Sequence, residues 1–258
     1  MQPNPPVDPI RTNYFDIIED VDKWANRLFL LGALLSIAST FIPETRYPAA
    51  FSWVQIFFLV TVLGLFVIDL AVKLYLSPRA ANARAQDFLS HAYGQNLATT
   101  RTQGYYNNNA QPGMHKIAAQ TFENSLFTKE ISRSMFKRQI PWVAAYVAIF
   151  AVGLACRDTP ITLWCASAQV LFGEQIIVRF TRLWWLRARA ERIFGELQQL
   201  YFTPPNGVAF DTIAMDAYTR YETSKSAAGI TLSSKIYEEL NPQLTLEWDR
   251  LRGIYGIP

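Results

Sequence analysis

By type, the residues best suited to nucleophilic or metal chemistry are two histidines, His91 and His115, and two cysteines, Cys156 and Cys165. Their spacing supports neither. The histidines stand in unrelated contexts, and no HExxH pair, Walker-type glycine loop or GxSxG elbow occurs. Asp211 and Asp216 fall five apart on an expected helix, so they share no face and read as one capping and one solvated carboxylate. Cys156 and Cys165 flank a short join. A disulfide there needs an oxidising compartment and demanding geometry, so two small lipid-facing or helix-facing residues are the plainer account. No spacing resembles a zinc site. The sequence therefore argues against an enzyme and calls for no catalytic residue, metal or cofactor.

The more informative charges stand within apolar runs. A carboxylate inside a bilayer costs at least ~2.5 kcal/mol on insertion scales, so it faces a bundle interior or a watery path. Asp69 has Lys73 one turn on, and pairing at the inner interface is the plainer reading of it. Glu174, followed by Arg179 and Arg182, is either a polar position on a conduction path or an interfacial one. Asp69, Glu174, Arg179 and Arg182 are the candidate pore or gating residues. A second set lies in a loop rich in Thr, Asn, Gln and Gly. Arg101, Tyr105, Tyr106, Asn107, Asn108 and the following Lys116 put aromatic rings and amides beside isolated cations, which suits stacking and hydrogen bonding to a nucleotide. An ordinary flexible surface loop fits the same residues.

Four apolar blocks must position these groups. Phe51 to Leu76 carries eighteen uncharged positions before Asp69, close to the roughly 20 needed to cross ~30 Å of hydrocarbon, and it shows no polar stripe. Trp24 to Ile42 has a single charge, Arg27, near its start, and Pro43 stops it. Ile140 to Cys156 holds seventeen uncharged residues, with Pro141 expected in the first turn and Trp142 at the interface. Ile161 to Val178 is interrupted by Glu174. These are read as two transmembrane hairpins. The resulting divisions are 1–23, an N-terminal lead-in; 24–77, the first hairpin; 78–139, a helical middle; 140–180, the second hairpin; and 181–258, a helical C-terminal segment.

Half of the residues are hydrophobic, and the formal charge of +3 is too small to imply a DNA or RNA duplex as partner. Basic residues concentrate in the middle segment and after the fourth apolar block, which places both termini and the middle in the cytoplasm. The proline-rich and acidic N-terminus does not read as a cleaved signal peptide, so the first span is expected to direct its own insertion. Small residues such as Gly32, Ala33, Ser36, Gly64 and Gly153 allow close helix packing, and any conducting form is expected to be a homo-oligomer in the lipid bilayer.

Outside the spans the pattern is helical, and the fold class is all-α. Asn13 to Lys23 reads as an amphipathic lead-in whose acids Asp16, Glu19, Asp20 and Asp22 are placed to meet basic residues elsewhere, with a solvated face as the ordinary alternative. Pro78 predicts a kink or a restart, and Gly94 a C-terminal cap. Residues 114–138 predict an amphipathic helix broken near Ser125. The chain from Ile161 to Phe202 predicts one continuous helix. Short helices are expected over 211–227, capped by Asp211, and over 233–240.

This layout resembles the SMODS-associated four-transmembrane pore-forming effectors of bacterial antiphage defence, the CBASS-like systems. The resemblance rests on two hairpins around a cytoplasmic middle, a Gln86-Asp87-Phe88 helix, the Tyr105-Tyr106 turn, and a C-terminal helix with spaced Tyr218 and Tyr221. Gly229 then leads to a second helix and the late Trp248. FENSLFTKEISRSM replaces the basic, tryptophan-rich motif of that family's middle. The resemblance implies an inner-membrane effector that binds a cyclic oligonucleotide, oligomerises or opens, and permeabilises the membrane. A non-conducting membrane scaffold or a small transporter subunit needs no more than the same four helices.

Overall fold

The structure is a computed structural model, and it describes residues 7–155 and 174–258, with side chains omitted at 40, 149, 153–155, 174 and 175. The described residues form six continuous helices and no strand. The first, α1 (Asp16–Phe41), continues a π-helical turn Arg11–Phe15. Next, α2 (Pro48–Ala71) runs through a π-helical turn Val72–Leu76 into α3 (Ser77–Tyr93), a single rod of 46 residues. Then follow α4 (Met114–Ala155), α5 (Arg179–Phe202, entered through a π-helical turn Glu174–Val178), α6 (Val208–Ala228) and α7 (Ser234–Tyr255). The chain divides into two compact units. One comprises 18–76 and 137–181; the other comprises the N-terminal residues up to 17 together with 77–136 and 182–258.

In the first unit, α1 and α2 form a hairpin through a tight turn in which the amides of Arg46 and Tyr47 donate to Pro43 O. Pro48 opens α2 at a position where its missing N–H removes no helical bond. The two helices approach closely where Gly32 meets Thr61: a Cβ on Gly32 would lie 3.4 Å from Thr61 Cγ2, and Thr61 is buried. Almost nothing else on α2 is covered. Phe57, Leu63, Phe66 and Val67 all point outward, and this is the one helix among the described residues long and apolar enough to cross a membrane. Leu34 and Phe41 on α1, and Trp142 and Val152 on α4, are exposed as well.

The second unit is built conventionally around a core. On α5 the buried residues are Leu183, Leu186, Ala190, Ile193, Leu197 and Leu200, a strict alternation of three and four. Phe210, Ala214, Ala217 and Tyr221 repeat it on α6. Around Phe122 of α4 pack Leu197, Tyr221 and Trp248, while Ile131, Met135 and Leu183 meet Ile236 and Leu244 in a second cluster. Gly229 ends α6 in the left-handed conformation, as a helix-terminating glycine does.

Several helix boundaries differ from those the sequence predicts. Ser125 does not break α4, because its hydroxyl bonds back to Phe122 O at 2.8 Å and leaves the ladder intact. Pro141 lies well inside α4 and does not open a helix of its own. At Pro78 the helix does continue, as the helix formers after it allow, and the π-helical turn just before it takes up the disturbance of the ladder. Gly207 precedes α6, so Asp211 falls in its first turn instead of capping it, where its charge still meets the positive end of the helix. Ser233 caps α7 by accepting from the Ile236 amide, but that helix passes Pro242 and ends only at Tyr255. Gly94, with φ of +68°, follows α3 as expected. The expected span from Ile161 is described only from Glu174 onward, and Cys156 and Cys165 lie outside the described residues.

Candidate functional site

The loop 94–113 joins α3 to α4, and its ends are tied where the Gly113 amide donates to Ala92 O at 2.9 Å. Three carboxylates hold its interior. Asp87 of α3 accepts from the Thr102 amide at 3.0 Å and from the Thr102 hydroxyl at 2.7 Å. His91, one turn further, places Nε2 3.0 Å from Thr102 O, so that nitrogen carries the proton and donates. Burial pushes the Asp87 carboxyl up, but the bonds from His91 and Thr102 more than offset it, and its pKa lies below the usual range. Ser90 completes this clasp by accepting from the amides of Leu97 and Ala98.

Asp8 is the second carboxylate. It accepts from Arg84 Nη2 at 2.7 Å and from the Arg11 amide, while Val7 and Gln103 exchange a pair of backbone bonds that dock the N-terminal segment on the loop. Arg84 lies over the Tyr105 ring, 4.6 Å from its centre. Burial opposes the guanidinium charge, but Tyr105 and Asp8 outweigh it and raise its pKa. The third is Glu123, on α4. Both its oxygens lie 3.2 Å from the Asn107 amide, but burial outweighs the bonds from Asn107 and Asn108 and the charge of Arg252, so its pKa is pushed up to about 8. On the other side of Asn107, Trp248 donates its indole N–H to the Asn107 carbonyl at 2.9 Å.

The residues expected to bind a nucleotide are therefore split. Tyr105, Tyr106, Asn107 and Asn108 come together, but they are turned into the protein: Tyr106 packs edge-on against Phe88, which stacks on Tyr218 at 4.8 Å, and Asn108 is buried. Arg101 is exposed on the loop, and Lys116 is half-buried in the first turn of α4. The buried amide of Gln120, the Tyr106 hydroxyl and Arg84 Nη1 have no hydrogen-bond partner among the described residues. Among the described residues no group of three or more potential metal ligands occurs.

In the other unit, Asp69 pairs with Lys73 at 3.0 Å, with both side chains partly exposed. Arg179 donates to Asp22 at 3.1 Å, so an acid of the lead-in does meet a basic residue after the fourth apolar block. Glu174 opens a π-helical turn, and its side chain lies outside those described. Arg182 is half-buried at the start of α5.

Sequence reasoning passed over Asp8, Arg84, Asp87, Thr102 and Glu123. Glu123 was legible: it interrupts the buried stripe Ala119, Phe122, Leu126 of α4. So was the pairing of Asp87 with His91 four residues on. Thr102 and Asp8 carried no local signal, since only the folded loop brings them to α3.

No protein-family model, curated protein or solved structure matches the chain.

Proposed function

We propose that the chain is a multi-span membrane effector of a bacterial antiphage system. In this reading the spans are α1, α2, the second half of α4 and the segment leading into α5, and the buried-core unit lies in the cytoplasm. A cyclic oligonucleotide causes the protein to oligomerise or open and so to permeabilise the inner membrane. The observation that carries the membrane part is the 46-residue rod, whose first half is apolar and uncovered while its second half supplies Asp87 and Phe88 to a buried core. Outward Leu34 and Phe41 on α1 and Trp142 and Val152 on α4 suit lipid equally. The effector part rests on the resemblance in layout, on exposed Arg101 and half-buried Lys116 as ligand contacts, and on Glu174 with Arg179 and Arg182 as gating groups.

The Asp69–Lys73 pair favours a second reading, a non-conducting scaffold or small transporter subunit, because it satisfies an intramembrane carboxylate without a water path. Leakage of dye from liposomes containing the purified chain separates the two. The effector reading expects leakage on addition of a cyclic di- or trinucleotide, and Arg101→Ala with Lys116→Ala is expected to abolish the response. Leakage that no cyclic oligonucleotide changes supports the scaffold. Cysteines at Gln103 and Glu44 are expected to label from opposite sides of the membrane, and labelling from one side overturns the hairpins.

A further inference from the structure

Between α1, α4 and the turn preceding α5 lies a groove of about 450 Å³, within the size range of small-molecule sites. One part of its lining is polar, from Asn26, Gln139 and Arg179. The other is apolar, from Phe29, Leu30 and Val143, with Trp142 at the rim and 70% exposed. Among the described residues near it, exposed Arg27 adjoins Asn26, exposed Lys137 and Arg138 precede Gln139, and Asp22 is engaged by Arg179. A guanidinium has five N–H donors, and that bond to Asp22 uses one.

We propose that this groove binds an anionic phospholipid. Its phosphate is held by Arg179 with Asn26 and Gln139, and an acyl chain lies along Phe29, Leu30 and Val143. An anion with no tail would leave the apolar wall wet, and a purely apolar occupant would make no use of the remaining Arg179 donors or of the two amides. A phosphodiester carrying hydrocarbon satisfies both. The aromatic rim and flanking basic residues suit the headgroup depth of a bilayer. Asp22 then has a definite role: it orients Arg179 when the groove is empty and competes with the phosphate for it. The inference rests on α1 and α4 being spans.

The test uses the full chain, delipidated in detergent, with retention of added dioleoylphosphatidylglycerol read by native mass spectrometry. Dioleoylphosphatidylcholine and inorganic phosphate serve as comparators. Phosphatidylglycerol is expected to be retained over both. Arg179→Gln is expected to weaken retention by about tenfold, the loss of a charge-assisted contact, and Arg179→Lys by less. Arg46→Gln, which removes a charge from the turn at the other end of α1, is expected to leave it unchanged. Asp22→Asn is expected to strengthen retention, which a merely structural ion pair would not do. Equal loss in the Arg46 and Arg179 variants overturns the site, as does weakening by Asp22→Asn or displacement of the lipid by inorganic phosphate at equal concentration. Carbonate extraction of the membranes reports separately on the spans: release of the chain overturns that reading and the lipid site with it, whereas retention with a failed lipid assay overturns the site alone.

Discussion

Phe66 and Phe122 both sit mid-helix in stretches rich in apolar residues, yet Phe66 is 63% exposed and Phe122 is fully buried. The neighbours explain the difference. Around Phe66 every face of α2 is apolar, so no arrangement of one hairpin can cover it, and among the described residues α1 and α2 come close where Gly32 meets Thr61 and where Gly64 meets Leu28. Around Phe122 the helix is covered on every side: Thr121, Glu123, Ser125 and Thr128 are buried with it in the core to which Leu197, Tyr221 and Trp248 belong. The first unit leaves the apolar surface of α2 facing outward. The second contains its own solvent-excluded core, and within that core it buries charge.

The strongest way to sharpen the comparison is to remove a large side chain from each unit. Trp248 is wholly buried and donates to Asn107, so Trp248→Ala is expected to cost about 3–5 kcal/mol and to loosen the loop that its indole bond holds. Phe66→Ala is expected to leave the melting of the cored unit unchanged. Circular dichroism melts of the full chain in detergent measure both, and similar losses would break the distinction. The next largest effect belongs to the membrane side. Leu63→Lys places a charge in the middle of α2, at about 2.5–3.5 kcal/mol on insertion scales, and is expected to lower the membrane-inserted fraction in a glycosylation-reporter assay. Unchanged insertion would mean that this face of α2 does not meet lipid.

Helix identity and the apolar character of α2 were legible because both are local: a period of three and four, or its absence over eighteen residues, needs no knowledge of the rest of the chain. Boundaries were less legible. Ser125, Pro141 and Pro242 each have a reputation for ending helices, and each lies inside a helix that continues past it; at Ser125 the buried core on both sides carries the helix through, which local propensity does not report. The loop was read as a surface feature because its composition is that of turns. Its interior partners, Asp8, Asp87 and Glu123, come from three separate segments; Glu123 is legible as an acid within a buried stripe and Asp87 by its i,i+4 spacing to His91, whereas Asp8 has no local signal.

That residue gives the third prediction. The folded state raises the Glu123 pKa from 4.5 to about 8, so between those values the folded protein holds a proton that the unfolded chain has released. The resulting stabilisation is complete below about 4.5 and is lost as pH rises through about 8. Asp87 works in the opposite sense, since its lowered pKa gives stability that is lost only as pH falls through the folded value. Melts of the wild type are expected to decline from pH 5 to pH 8.5 by more than those of Glu123→Gln, whose slope is flatter. Equal slopes would place the titration elsewhere.

The smallest expected effect concerns Asp69. Its pair with Lys73 is one helical turn long and partly exposed at both ends, the kind of contact that contributes about 0.3–0.5 kcal/mol. On stability alone, Asp69→Asn is nearly silent, and in membranes it removes a carboxylate while Lys73 can still extend toward headgroups. Conduction is the more sensitive readout, because a fixed charge on a water path sets which ions pass, whatever it contributes to folding. If Asp69 is only the interfacial partner of Lys73, reversal potentials across a planar bilayer are expected to be the same for Asp69→Asn and wild type under a salt gradient. A shift toward anions in the variant would place Asp69 on the ion path. That outcome would also remove the observation favouring the scaffold, and it would set the dividing line of the molecule between a charged lumen and its lipid-facing rim.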